Sequence, residues 1–152
     1  MIGDECKGRG GTEEDTLSIV VERGQEDGHT VTFEYEGDTQ LDVLPGHVLV
    51  EMRTLPHDSF RREGDDLHSN VTVSLLEALT GFETTLLHLD GRRVPFKRRQ
   101  VTRPGQVIRV RGEGMPKHEV PSERGDLFLH VRVEFPSSLT EEQRAHLRDI
   151  EL

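Results

Sequence analysis

Large apolar residues are scarce in this sequence, which has no tryptophan, a single tyrosine and only 32% hydrophobic residues. A single large core is therefore not expected, and two thin β-layers fit this composition better. No apolar run approaches the roughly 20 residues that a membrane-spanning helix needs. We therefore predict no contact with a membrane.

Cysteine and positive charge are also in short supply. The only cysteine, Cys6, cannot by itself form an internal disulfide or a thiolate zinc site. The net charge of −10 argues against general nucleic-acid binding, because neutralising phosphates requires a basic protein face. The sequence reaches a charged residue as early as Asp4, so we expect no secretory leader in these first residues.

The segment from Gly64 to Val94 has the clearest local pattern. After a Gly-Asp-Asp turn, alternating apolar residues predict a strand over Leu67 to Val73. Ser74, with Glu77 three residues later, forms a capping box, in which each side chain satisfies a free backbone N–H at a helix start. This pattern predicts a helix of about two turns that ends at Gly81 in a left-handed conformation.

A hairpin is predicted directly after this helix. Phe82 to Leu89 reads as a strand, and the pair Asp90-Gly91 predicts a two-residue type I′ turn. The return strand begins at Arg92 and contains Pro95, which cannot donate a backbone hydrogen bond and therefore favours a sheet edge.

Further elements lie on both sides of this segment. Residues 54–63 read as a connector anchored by Phe60, and Thr140 with Gln143 is a second capping box that opens a terminal helix. That helix needs a partner surface, because about twelve residues are marginal as an isolated helix. The other predicted strands are residues 17–22, 30–36, 47–53, 107–110 and 127–135.

An internal repeat indicates the domain organisation. Gly28–Gly37 and Gly105–Gly114 have equal length, and each is followed by a loop, a glycine (Gly46 or Gly125) and another alternating strand. We predict a mainly β fold of two tandem small β-sandwich domains, with one short helix in the second and the start of a C-terminal helix. The first copy lacks a counterpart of the strand–helix–strand unit, so we expect the sequence to belong to a longer protein. The predicted divisions are a flexible lead (1–16), the two β-domains (17–55 and 56–136) and the terminal helix (137–152).

Two polar clusters suggest alternative functions. Asp65, Asp66, His68 and His88 could form a metal-assisted hydrolase site, although the same carboxylates are typical of turns and the histidines could simply be exposed. A basic run could instead make the protein an adaptor that binds an acidic peptide tail, mainly through Arg92, Arg93 and Arg98. Charges that protect an edge strand from aggregation explain the same run, which consists of Arg92, Arg93, Lys97, Arg98, Arg99 and Arg103.

The apolar strand faces offer a binding surface. Leu17, Ile19, Val48 and Val50 could line a groove for the apolar side chains of an extended peptide, while strand addition supplies main-chain hydrogen bonds. The alternative is ordinary core, since most alternating strands bury one face. Separately, Asn70-Val71-Thr72 is an N-glycosylation sequon.

Several ordered motifs together resemble the C-terminal substrate-binding region of DnaJ-type co-chaperones. The resemblance covers about Leu17 to the end and implies two small β-sandwich domains that bind exposed apolar segments of non-native proteins. It also implies delivery of these clients to a seventy-kilodalton heat-shock chaperone, without enzymatic activity and without a cofactor. The motifs are Gly64-Asp65-Asp66-Leu67, Ser74 to Gly81, His88-Leu89-Asp90-Gly91, Thr102-Arg103-Pro104-Gly105, Gly112 to Pro116 and Arg124-Gly125-Asp126-Leu127.

The resemblance also implies roles for individual residues. Leu17 and Val50 match positions of the family's peptide pocket, whose other residues lie on strands that this sequence does not contain. Residues 17–55 then form the C-terminal part of the peptide-binding domain. The terminal helix is the start of a dimerisation helix, with Leu147 and Ile150 on its apolar stripe, so that the full-length protein is a homodimer. Residues 1–16 correspond to the end of a cysteine-rich region, but Gly3 stands where a cysteine belongs, so no metal site is implied.

Two further expectations concern partners and location. The family's J domain carries His-Pro-Asp, whereas Pro56-His57-Asp58 has a different order, so this chain should not stimulate the partner's ATPase. The hairpin motif and the Asn70 sequon are most similar to DnaJ proteins of the endoplasmic reticulum lumen. That compartment is the expected location, with the cytoplasm as the alternative.

Overall fold

A computed structural model describes residues 16–38 and 44–150 of the chain. The predicted flexible lead, including Cys6, lies outside these residues except for Thr16. The described residues are mainly β, which confirms the predicted fold class. The strands are β1 (Thr30–Phe33), β2 (Val48–Glu51), β3 (Arg61–Glu63), β4 (Asp66–Ser74), β5 (Phe82–Leu87), β6 (Arg93–Arg98), β7 (Val107–Val110) and β8 (Leu127–Glu134), and the helices are α1 (Leu75–Thr80) and α2 (Glu141–Asp149).

A four-stranded sheet with the order β3-β4-β8-β7 forms the centre of the fold. Its two inner strands, β4 and β8, run parallel, from the pair Leu67 and Leu127 to the pair Ser74 and Glu134. Parallel neighbours need a long connection, which here contains α1, the β5–β6 hairpin and β7. β3 pairs antiparallel with β4, so the residues predicted as a connector contribute an edge strand.

The core lies between this sheet and the β5–β6 hairpin. Leu67, Leu127 and Leu129 are at most 2% exposed, because alternation along β4 and β8 directs them to one face. Phe82 of β5 and Phe96 of β6 pack against the same cluster, with ring centroids 5.6 Å apart. Phe60 is also buried in this core, which confirms its predicted role as an anchor.

Helix α1 begins as predicted but ends differently. The Glu77 carboxylate accepts from the Ser74 N–H at 2.8 Å, and the Ser74 hydroxyl accepts from the Glu77 N–H at 3.3 Å. Gly81 has φ 96° and ψ 159°, so its φ is positive but it does not have the predicted left-handed helical conformation. A Cβ at Gly81 would lie 2.6 Å from the Arg98 carbonyl oxygen, so close approach to β6 also requires glycine.

The predicted two-residue turn of the β5–β6 hairpin is wrong. The His88 N–H donates to the Arg92 carbonyl at 2.8 Å, which leaves a three-residue loop. Gly91 has φ 81°, but Asp90 does not have a positive φ, whereas a type I′ turn needs both. The Asp90 carboxylate instead accepts from the Arg92 N–H at 3.0 Å and stabilises the longer loop. β6, with Pro95, lies in a two-stranded sheet and is an edge strand as predicted.

Equivalent hydrogen bonds confirm the internal repeat. The Gly28 N–H donates to Met52 O at 2.8 Å, and the Gly105 N–H donates to Val131 O at 2.9 Å. The bonds that close the two hairpin loops are also equivalent, since Gly37 donates to Gly46 O and Gly114 donates to Gly125 O, both at 2.9 Å. The strand registers agree as well: Thr30 opposes Glu51, and Val107 opposes His130.

The predicted strand over residues 17–22 is not formed. In the repeat, Leu17 and Ile19 correspond to Val94 and Phe96 of β6, and β6 is a strand because β5 pairs with it. No segment of the described residues supplies such a partner to residues 17–22. Val20 is 81% exposed, so one side of this segment faces solvent.

Candidate functional site

The β1–β2 hairpin presents one apolar face. Val31 lies opposite Val50, and Phe33 lies opposite Val48, in an antiparallel register. Directly opposed residues point to the same side of a sheet, so these four side chains form a single surface. We call the surface of Val31, Phe33, Val48 and Val50 the hairpin face. All four side chains are half-buried, whereas Leu49 on the opposite side of β2 is 67% exposed.

The second copy of the repeat contains the counterpart of the hairpin face, and there the equivalent surface is covered. Its residues correspond to Ile108, Val110, Leu127 and Leu129, all of which belong to or pack against the main core. That second surface is covered by Phe60, by Ala78 of α1 and by Phe82 of β5, while Leu67 and Val73 of β4 extend it within the same sheet. In the first copy, no element of the described residues corresponds to β4, α1 or β5. The hairpin face therefore keeps apolar surface that its counterpart has buried.

The four residues predicted to line a peptide groove are only partly brought together. Val48 and Val50 are neighbours on the hairpin face. Leu17 and Ile19 are half-buried and alternate with exposed residues, but they belong to no strand. Five grooves on the described residues are all lined by other side chains. A groove formed by all four residues therefore stays a prediction.

A second apolar surface lies between α1 and α2. It is a groove of about 540 Å³, and its apolar lining consists of Leu75, Leu76, Leu79, Phe135, Pro136, Leu139 and Leu147. Leu76 is 70% exposed and Phe135 is 68% exposed, and α2 has no buried residue. Ala78 is the buried residue of α1, so the three leucines of this helix are the sequence signal for this surface.

Comparison with known proteins identifies the family. The family model described as the DnaJ C terminal domain matches residues 7–136, which is most of the chain. The chain belongs to the DnaJ C-terminal domain family. The resemblance inferred from the motifs is thereby confirmed.

Curated relatives agree with this family. DnaJ protein ERDJ3B of Oryza sativa subsp. japonica is 44% identical over 91% of this chain and 40% of its own length. DnaJ homolog shv of Drosophila melanogaster is 45% identical over 98% of this chain and 43% of its own length. DnaJ homolog subfamily B member 11 of Homo sapiens is 38% identical over 99% and 42%. The chain spans about two fifths of the length of these DnaJ relatives.

Several polar motifs of this DnaJ domain have structural contacts. The Asp66 carboxylate accepts from the Asp126 N–H at 2.7 Å, and the Asp65 carbonyl accepts from the Met115 N–H at 2.8 Å.

His88, which was expected to be exposed, is buried, and its Nε2 lies 3.0 Å from the Glu113 carbonyl oxygen. The described ranges contain no group of three or more His, Cys, Asp or Glu side chains that could hold one metal ion. The predicted hydrolase cluster therefore does not assemble there.

The basic run is partly neutralised by ion pairs. Arg92 contacts Asp90 at 2.7 Å and Glu113 at 3.1 Å, and Lys97 contacts Glu83 at 2.5 Å. The hydrogen bonds from the Arg92 side chain and backbone lower the pKa of Asp90 well below its ordinary value. These pairs hold the β5–β6 hairpin and reduce the positive charge available to an acidic peptide.

The remaining predicted residues are exposed. Asn70 lies on β4 and is exposed, as an acceptor of a glycan must be. Leu147 and Ile150 are exposed at the end of the described residues. No helix in the described ranges has the length and apolar character needed to cross a bilayer. The structure thus leaves the glycan and the dimer contact as predictions.

Proposed function

We propose that this chain is the client-binding part of a DnaJ-type co-chaperone and binds exposed apolar segments of unfolded or misfolded polypeptides. The observation that carries this proposal is the hairpin face, which is half-buried where its repeat counterpart is sealed. The named relatives are DnaJ proteins, and that family membership is compatible with a binding role rather than catalysis.

An extended client suits this surface for geometric reasons. Successive side chains of a strand alternate sides, so every second client residue can contact the hairpin face. Burial of apolar area contributes about 25 cal/mol per Å², so about 100 Å² would contribute roughly 2.5 kcal/mol before the entropy cost of ordering the client. Binding should therefore be weak and tolerant of sequence, with additional affinity from main-chain hydrogen bonds at a strand edge.

We assign Leu17 and Ile19 to the proposed surface from the positions of their counterparts in the second copy of the repeat. Their counterparts in the second copy are Val94, which is buried, and Phe96, which packs against the main core. In that copy, Phe96 belongs to the same packing cluster as Ile108 and Leu129, the counterparts of Val31 and Val50. By analogy, we place Leu17 and Ile19 beside the hairpin face. Residues 17–55 would then form one client-binding unit, and residues 56–136 a second β-domain.

The partners are proposed from family membership. We infer that the complete protein delivers clients to a seventy-kilodalton heat-shock chaperone. We also infer that it forms a homodimer through the region of α2, with Leu147 and Ile150 contributing. Their exposure, together with the apolar groove beside α1, supports this assignment. Two weak client sites in one dimer would raise the effective concentration of the second site and so the avidity.

The endoplasmic reticulum lumen is the proposed location. The relatives named ERDJ3B and the exposed Asn70 sequon support it. Glycosylation of Asn70 in cells would be detected as a mobility shift that glycosidase removes and that Asn70→Gln abolishes.

The client proposal is tested with the full chain and a fluorescent peptide rich in leucine and phenylalanine. Leu17→Asp and Val50→Asp should each weaken binding by about tenfold or more, because they place a charge on apolar surface. Leu49→Asp is the matched control, since Leu49 lies on the opposite, exposed side of β2. Fluorescence anisotropy gives the affinities, and circular dichroism shows that each variant is folded.

Two outcomes would count against the client proposal. Equal affinity of the wild type and both variants would exclude this surface. Steep loss of binding with added salt would favour the adaptor alternative, because screening weakens ionic contacts but not apolar burial.

A further inference from the structure

Two histidines meet on the outer face of the central sheet, away from the core. His68 of β4 and His130 of β8 lie on the parallel pair of strands, and the Nδ1 atom of His68 is 3.0 Å from the Nε2 atom of His130. The His68 ring also stacks on Phe128, with centroids 5.1 Å apart and planes inclined by 16°. Both histidine rings therefore belong to rigid strands, and the His68 ring has a fixed orientation.

A carboxylate contacts the other ring nitrogen of His68. The Nε2 atom of His68 lies 3.3 Å from a carboxylate oxygen of Glu63 on the neighbouring strand β3. An ionised carboxylate only accepts hydrogen bonds, so it selects the tautomer in which His68 carries its proton on Nε2. The Nδ1 lone pair of His68 is then directed toward His130. A carboxylate that orients a histidine in this way is the usual support of a metal-binding imidazole.

We propose that His68 Nδ1 and His130 Nε2 bind one divalent ion of the late first transition series, such as Cu²⁺ or Zn²⁺. Nitrogen ligands lie about 2.0–2.1 Å from such ions, so two ligands in neighbouring positions are roughly 2.8–3.4 Å apart, from 90° to tetrahedral geometry. The observed separation of 3.0 Å lies within this range. Imidazole is a preferred ligand of these ions, and Cu²⁺ binds most tightly among them.

The surroundings provide space for the rest of the coordination shell. A groove of about 280 Å³ lies beside the pair and is also lined by His57, Asp58 and Asn70. His57 Nδ1 accepts from the Ser59 N–H at 3.1 Å, so the Nε2 atom of its neutral ring carries the proton and His57 is not counted as a ligand. The described residues hold no preformed group of three ligands, so water completes the coordination and the ion exchanges readily. This site is separate from the client surface and independent of the proposed function.

The experiment measures Cu²⁺ and Zn²⁺ binding to the metal-free full chain by calorimetry near neutral pH. The wild type should bind one ion most tightly, and His68→Asn or His130→Asn should weaken that binding at least tenfold. His146→Asn is the matched control, because this histidine lies on α2, in the groove between α1 and α2. Electron paramagnetic resonance of the wild type with Cu²⁺ should show two bound nitrogens, a result that requires no variant.

Glu63 is proposed as a positioning residue. Loss of such a supporting carboxylate typically weakens metal binding about 10-fold to 100-fold, and Glu63→Gln should lie near the lower limit because the carboxylate is largely exposed. Unchanged affinity in Glu63→Gln would remove this role. Unchanged affinity in both His68→Asn and His130→Asn, or fewer than two nitrogens in the wild-type spectrum, would overturn the site.

Discussion

At the scale of single residues, the motifs that identified the family contain residues that hold segments of the fold together. Asp126 illustrates this: its carboxylate accepts from the Gly112 N–H at 2.8 Å and pairs with Arg109, while its own N–H donates to Asp66. The preceding Gly125 packs against the backbone of Asp65, where a Cβ would collide. The motif around Asp126 therefore joins three segments of the sheet region and does not line the proposed client surface.

The Asp126 carboxylate should make stability depend on pH. The Gly112 N–H and the Arg109 side chain lower its pKa below the ordinary value of 3.8. A carboxylate with a lowered native pKa stabilises the fold above its unfolded pKa, and this contribution disappears as the pH falls through the native value. We expect Asp126→Asn to be less stable than the wild type at pH 7, with the difference shrinking below about pH 4.

Chemical denaturation at pH 7, 4 and 2.5 measures this difference. Asp149→Asn serves as the control, because Asp149 is exposed at the end of α2. A difference between Asp126→Asn and the wild type that stays constant across the three pH values would contradict the assignment.

At the scale of elements, local sequence rules succeeded where the cause is local. Both capping boxes form, since Ser74 and Glu77 bond as predicted and so do Thr140 and Gln143. The rules failed where a distant partner decides the conformation. Residues 17–22 alternate as a strand should but lack a β5-like neighbour. The turn at Asp90 failed for a local reason instead, because the Asp90 carboxylate accepts from the Arg92 N–H two residues later. The hairpin face was only half predictable, because alternation identifies an apolar side but not what covers it.

The two capping boxes should differ in their effect on global stability. Ser74→Ala removes the hydroxyl that accepts from the Glu77 N–H, which typically costs about 1 kcal/mol. Because α1 buries Ala78 in the main core, this cost should lower the free energy of unfolding of the whole core.

Thr140→Ala is the matched comparison. Helix α2 has no buried residue, so losing its cap should fray the helix and leave the unfolding midpoint nearly unchanged. Chemical denaturation monitored by a fluorescent label near the core reports global stability, and far-ultraviolet circular dichroism reports the loss of helix. Equal losses of global stability in the two variants would show that α2 is coupled to the core.

At the scale of the whole molecule, one supersecondary unit occurs twice in different states of burial. The β7–β8 hairpin is covered by α1 and β5 and is extended by β4 in the same sheet, whereas the β1–β2 hairpin remains partly open. Polar contacts join the segment before β1 to β3 and to the β7–β8 loop: Arg62 donates to the Gln25 carbonyl at 2.7 Å, and His118 lies 2.9 Å from Glu22. These contacts fix the loop that precedes β1 without covering the hairpin face, so attachment and client access need not compete.

The same substitution in the two copies should therefore have unequal costs. Val131 on β8 is buried in the main core, and Val131→Ala should cost about 2–3 kcal/mol, from roughly two buried methylene equivalents plus a cavity term. Val50 lies on the equivalent face of β2 but is half-buried, so Val50→Ala should cost less than about 1 kcal/mol. Chemical denaturation measures both values, and hydrogen exchange of the β2 amides reports whether the first hairpin opens separately. A cost for Val50→Ala equal to that of Val131→Ala would mean that the hairpin face is a closed core, and client binding at this face would then have to be abandoned.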